Sequence, residues 1–226
     1  MDDIILKLKD AQLKAWQLIS VAEQKGFITA GQTEKELNEN IYQLAKELFG
    51  IKKFWHKRIV RSGKNTLFPY KENPENLTFQ KDDILFFDLG PVFEDWEADI
   101  GDTIVLGDDP AKIKLKKDVK EAFETGKNYF KSHPGITGSE LYSFTCALAK
   151  EYGWSYGNEH CGHLIGNFPH EQLLGEEIKN YIHPDNILPM NTPDKFGKPR
   201  HWIYEIHFID KEKQIGGFFE QLLTID

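Results

Sequence analysis

Residues Lys81–Gly107, KDDILFFDLGPVFEDWEADIGDTIVLG, decide how the rest of the chain is read. Two runs in it, Ile84–Leu89 and Asp99–Leu106, are rich in β-branched and large apolar side chains and are bounded by Gly or Pro, the pattern of buried strands. Each run carries an acid where an apolar residue is expected: Asp88 follows ILFF, and Asp99 opens the run toward IVL. A lone carboxylate is costly to bury, so a buried acid needs a partner that returns its lost hydration. Eleven residues apart on adjacent strands, the two acids can face one point. A metal cation is the natural partner. Turn-capping or strand-end acids are the plainer alternative, because structural ion pairs perturb carboxylates too.

The chain has 226 residues, of which 40% are apolar and 13% aromatic, enough to bury a substantial core. A formal charge of −8, from 36 acidic and 28 basic residues, advertises no phosphate-binding surface. Lys52, Lys53, Lys57, Arg58 and Arg61 cluster only modestly around aromatics, so no nucleic-acid partner is expected. The two cysteines, Cys146 and Cys161, form no disulfide framework, which suits a reducing cytoplasm. The first residues, MDDIILKLKD, are too charged for a signal peptide, and no apolar run reaches membrane-spanning length. The reading is a soluble, cytoplasmic protein with no membrane partner.

Around the central strands, apolar residues at helical spacing (Ile4, Leu8, Leu13, Trp16, Ile19, Ala22) predict a helix from about Asp3 to Lys25, stopped by Gly26. A capping box, Thr33-Glu34-Lys35-Glu36, opens a second helix that ends at Gly50. An irregular basic and aromatic segment follows, in which Ile59–Arg61 reads as a short strand. A long polar helix is expected from about Lys112 to Lys131, and a second capping box, Thr137-Gly138-Ser139-Glu140, opens another through Glu151. Thr33, Glu36, Leu37, Leu44, Ala45, Lys46 and Glu47 recur 104 residues later as Thr137, Glu140, Leu141, Leu148, Ala149, Lys150 and Glu151. That recurrence suggests two similar halves with a site between them, and the same offset maps His56 onto His160. The loop from about Gly175 to Arg200 reads as a covering excursion.

Two more strands close the chain, HWIYEIHFID and GGFFEQLLTID. In the first, Ile203, Glu205, His207 and Ile209 share a face; in the last, Phe218, Glu220 and Leu222 do. Each apolar strand again contains an acid that does not belong. Asp88, Asp99, Glu205 and Glu220, with the histidine-rich turn His160–Gln172, thus form one candidate constellation. Four anions in one cavity repel and raise each other's pKa, and two divalent cations neutralise them. Oxygen ligands with one imidazole suit Mn, Co, Fe or Zn. Two such ions about 3.5–4 Å apart lower the pKa of a shared water and polarise a carbonyl, which is hydrolase chemistry.

The order Asp-x10-Asp, Gly-His, Glu, Glu resembles the pita-bread metallopeptidases: methionine aminopeptidases, Xaa-Pro aminopeptidases, prolidases and their relative creatinase. Asp88-Leu89-Gly90 leading to Ala98-Asp99 looks most like the Xaa-Pro branch, and Cys161-Gly162-His163-Leu164-Ile165-Gly166, with His170 seven residues beyond His163, looks like the family's ligand and substrate-site histidines. The resemblance implies an α+β pita-bread fold, two pseudo-symmetric halves with helices packed on a curved antiparallel sheet. A single pita-bread domain is expected over residues 1–226, which departs by its length from the prolidases and Xaa-Pro aminopeptidases in lacking their usual N-terminal domain. Asp88 would chelate one metal, Asp99 and Glu220 bridge both, and His163 and Glu205 complete the second. Glu205 would also take the proton of the attacking water, and His170 would bind substrate or the developing oxyanion. Manganese is preferred among the metals, the partner is a peptide substrate, and a homodimer is implied.

The family normally places another catalytic histidine seventeen or eighteen residues before the first metal Asp; Tyr70 stands there. A phenol donates a hydrogen bond, but its usual pKa of ~10 makes it a poor proton shuttle at neutral pH. His56, from the preceding segment, is the available substitute, so Tyr70, His56 and His170 are the substrate-binding candidates. His56, Trp55 and Arg58 either line the mouth of the cleft or, by default, form an exposed basic loop; His160 and His207 are rim, supporting or structural residues, and Cys161 packs. The function expected is a dinuclear-metal exopeptidase that removes an N-terminal residue, ahead of proline by the motif detail. The alternatives are a pita-bread domain that binds peptide or protein without cleaving it, and a hydrolase of a small non-peptide amide or amidine.

Overall fold

Helices α1 (Asp3–Gln24) and α2 (Glu34–Phe49) precede the strands β1 (Ile59–Ser62) and β2 (Ile84–Leu89) in the computed structural model, which describes residues 3–169 and 178–225. A hairpin of β3 (Val92–Phe93) and β4 (Trp96–Glu97) leads to β5 (Ile100–Val105). Then come α3 (Pro110–Ser132), α4 (Gly138–Glu151), β6 (Ser155–Tyr156), β7 (Leu164–Ile165), β8 (His201–Asp210) and β9 (Ile215–Leu222).

The helix starts follow from local chemistry. The Thr33 hydroxyl accepts the Glu36 N–H while the Glu36 carboxylate accepts the Thr33 N–H, and Thr137 and Glu140 repeat the arrangement at α4. Two otherwise unpaired donors are satisfied at each start. α2 ends at Gly50 with φ 63°, a left-handed conformation that costs glycine nothing. α3 begins earlier than its apolar pattern suggests, because Asp109 caps Ala111 and Pro110 fits the first turn. The strand expected from Asp99 begins at Ile100, which leaves Asp99 just before the ladder.

The principal sheet is antiparallel in the order β1-β2-β5-β9-β8-β6, with β7 pairing β8. One face carries the helices. Leu85, Phe87 and Leu89 of β2 bury against α1 and α2, while Tyr204, Ile206, Phe208 and Phe219 bury against α3 and α4. Trp16 of α1 joins the two cores, edge-on to Phe87 and stacked on Phe219. Alternation sends Phe86, Asp88, Glu205, His207, Phe218 and Glu220 to the other face. Pairing then aligns them: Asp88 lies opposite Gly101, Gly101 opposite Glu220, and Glu220 opposite Glu205. A single transverse row across four strands thus carries three of the acids.

The excursion before β8 is only partly a cover. Among its described residues, Ile182 and Met190 lie in the core, the Met190 N–H donates to Ile136, and the Trp202 indole donates to the Met190 carbonyl. Apolar anchors hold it to the α4 half. No helix among the described residues is long and apolar enough to cross a membrane.

Candidate metal centre

Asp88, Asp99, Glu205 and Glu220 are only 9%, 2%, 5% and 2% exposed, and their side chains converge. Asp99 lies at the middle. Its Oδ1 is 3.0 Å from His56 Nε2 and its Oδ2 is 3.1 Å from His163 Nε2. His56 Nε2 is also 3.5 Å from Asp88 Oδ1, and His163 Nε2 is 3.8 Å from both Glu205 Oε1 and Glu220 Oε1. Two groups of potential ligand atoms result, His56–Asp88–Asp99 and Asp99–His163–Glu220, each with all its atoms within 4.8 Å of one another. They share Asp99.

The electrostatics is that of a site short of positive charge. Burial raises the Glu220 carboxyl well above its usual range, and Asp99 and Asp88 push it further. Asp88 is raised by burial as well, despite His56 beside it. Burial opposes ionisation of Asp99 too, but His56 and His163 outweigh it and hold Asp99 below the normal carboxylate range. Glu205 is likewise held down against burial, first by His160, whose Nδ1 is 3.5 Å from Oε1, and then by His163. Glu205 and Glu220 face each other across β8 and β9, where like charges repel. Buried oxygen donors in this number, with three imidazoles and, among the described residues, no lysine or arginine in their ion pairs, fit a pair of divalent cations.

A family model described as metallopeptidase family M24 matches residues 7–196. The chain belongs to family M24. Among curated relatives, it is 31% identical over 150 residues to the Xaa-Pro dipeptidase of Pyrococcus horikoshii, a match that covers 64% of this chain and 40% of that one. A match to the Xaa-Pro dipeptidase of Lactobacillus delbrueckii is 28% identical and covers 70% of this chain and 43% of the relative. The chain therefore spans less than half the length of these M24 relatives. Among solved structures, the prolidase from Pyrococcus furiosus aligns with TM-score 0.78 at 22% identity, over 100% of this chain and 61% of that one. The methionine aminopeptidase from Rickettsia prowazekii aligns with TM-score 0.69 at 14% identity, over 96% and 91%. The fold is the α+β pita-bread fold.

Against the sequence reading, the structure brings Asp88, Asp99, His163, Glu205 and Glu220 together. His170 lies outside the described residues. Tyr70 is 40% exposed, and its hydroxyl accepts the Lys57 N–H at 3.0 Å instead of reaching a carboxylate. Its ring is 5.8 Å from the His56 ring and edge-on to it. His56, a substrate-binding candidate from a segment that reads by default as an exposed basic loop, lies beside two of the acids. Its side chain is only 9% exposed, and Trp55 packs edge-on against both His56 and His163 while its indole donates to the Ala98 carbonyl. The 104-residue offset pairs His56 with His160, yet the residue with matching geometry is His163. The one missed signal was Gly90: a Cβ there would lie 2.2 Å from His56 Cδ2 and 2.4 Å from Trp55 Nε1.

His207 and Cys161 have structural roles. Burial lowers His207 to about 4, and its Nε2–H donates to the Thr66 carbonyl at 2.8 Å, which ties β8 to the turn after β1. Burial pushes the Cys161 thiol up, so it is no nucleophile.

Proposed function

We propose that this M24 protein is a two-metal exopeptidase that hydrolyses the first peptide bond of a peptide, with Xaa-Pro sequences as the substrate class. The observation that carries the reading is Asp99, one carboxylate shared between two buried ligand clusters. Asp88 and Asp99 with Glu220 would hold one ion, and Asp99, His163, Glu205 and Glu220 the other, with manganese the preferred metal. The bound pair supplies a water deprotonated near neutrality and a Lewis acid for the substrate carbonyl.

The remaining work falls to the chain. Glu205, ionised and adjacent to His160, accepts the proton of the attacking water as its oxygen joins the carbonyl carbon. It returns that proton to the departing amine nitrogen as the C–N bond breaks. His170 is assigned to the developing oxyanion by its offset from His163. The Xaa-Pro preference rests on the curated dipeptidases and on the Asp88-Leu89-Gly90 motif.

Turnover of the manganese-loaded protein on a mixed peptide library, read by mass spectrometry, tests this. Loss of single N-terminal residues, confined to peptides with proline second, is the expected result. No cleavage by protein holding two ions would refute it. A second reading, a domain that binds peptide without cleaving it, is favoured by Tyr70, whose hydroxyl is engaged by the Lys57 backbone where the family normally has a catalytic histidine.

A further inference from the structure

The His56 imidazole is oriented as a ligand. Lys57 O lies 2.8 Å from Nδ1, and because a carbonyl only accepts, Nδ1 carries the hydrogen and Nε2 faces the acids. His163 is built in the same way: Nδ1–H donates to the carbonyl of the next residue, Leu164, at 2.8 Å, and Nε2 points at Asp99. A backbone carbonyl that fixes one imidazole nitrogen while the other is presented is the usual support of a metal-bound histidine. The two rings approach the two oxygens of one carboxylate, and Trp55 packs against both.

The scaffold around His56 is committed to this placement. Gly90 provides the space that any side chain would fill. Arg61, itself buried, donates to the carbonyls of Phe68, Pro69 and Glu72 and so clamps the loop that carries Tyr70. The Tyr70 hydroxyl accepts the N–H of Lys57, the residue whose carbonyl orients His56, and so holds that residue from its other side. A substrate-binding imidazole needs its free nitrogen turned toward the substrate. His56 Nε2 instead lies within 3.5 Å of two carboxylates.

We propose that His56 is a sixth ligand of the centre, bound through Nε2 to the ion held by Asp88 and Asp99, so that each ion receives one imidazole. Tyr70 is then a positioning residue for that ligand. The inference rests on the two-ion reading above and departs from the substrate role that the sequence suggested for His56.

X-ray absorption of the cobalt-loaded wild-type protein, with metal content by mass spectrometry, is the first measurement. Two ions with two coordinated imidazoles per protein are expected; two ions with one imidazole would overturn the proposal while leaving the two-ion reading intact. Fewer than two ions in the wild type would remove both together. His56→Ala and His56→Gln are then titrated with cobalt in competition with a chelator. Each should keep one tight ion, bind the second at least ~10-fold more weakly, and lose one imidazole from the spectrum. A fall in turnover with affinity and imidazole count unchanged would place His56 on the substrate instead.

Discussion

Both oxygens of Asp99 face an imidazole, so in the metal-free protein His56 and His163 offset part of the buried negative charge. Burial works against a charged His56, but Asp99 and Asp88 raise it to about 9, so it keeps its proton where an exposed histidine has lost it. The folded pKa is above the unfolded one. The corresponding stability is complete below about 6.5 and is lost as pH rises through about 9. Metal-free protein should therefore melt at progressively lower temperature across that window, while metal affinity rises as the competing proton leaves. Chelator competition and melting at a series of pH values check both slopes, and flat profiles would show that His56 is not coupled to the site. Tyr70→Phe keeps the ring but strips Lys57 of its acceptor; a loss of about 1 kcal/mol in urea unfolding is expected, with Asp88-side affinity falling and the other ion unaffected. The acids were legible in the sequence because each interrupts an apolar strand. His56 was legible only as a substrate-side candidate, since no periodicity marks an irregular segment and its burial depends on Gly90, thirty-four residues away.

The ends of α1, α2 and α4 and the span of β2 and β8 agree with the sequence reading to within a residue or two, for local reasons, whereas the last strand stops at Leu222, short of the expected end at Asp226. Thr33 and Thr137 announce their capping boxes within four residues of sequence, and each hydroxyl accepts the N–H it should. Thr33→Ala and Thr137→Ala should each cost about 1 kcal/mol, measured by denaturant unfolding. The similarity of the two costs would express the similarity of the two halves. The short pairings escaped notice: β3 and β4 hold two residues each, too few for alternation to register. Gly90, just after β2, is the position where a minimal change should matter most. In Gly90→Ala the added methyl collides with both His56 and Trp55, so a destabilisation of about 1–3 kcal/mol is expected together with loss of the Asp88-side ion. Normal stability and two ions in that variant would contradict the packing described.

Across the whole molecule, the alternation within each strand and the resemblance carried by five separated residues made the fold legible. The order of the strands came only with the structure, because pairing such as β5 with β9 joins segments more than a hundred residues apart. Removal of metal should be felt globally, since unneutralised Glu205 and Glu220 oppose each other between central strands. Asp99→Ala and Glu220→Ala should abolish metal uptake, and neither should gain stability when manganese is added, unlike the wild type. A Tm rise with manganese equal to that of the wild type would refute the assignment. The transverse row Asp88–Gly101–Glu220–Glu205 has one more consequence. Slipping β2, β8 or β9 by a single residue would turn that strand's acid to the helix side and put a neighbour such as Leu89, Ile206 or Phe219 in its place. A misaligned chain would hence be unable to load, and only correctly threaded copies would gain the added resistance to unfolding and proteolysis. On the two-metal reading, loading would thus favour the correctly registered sheet.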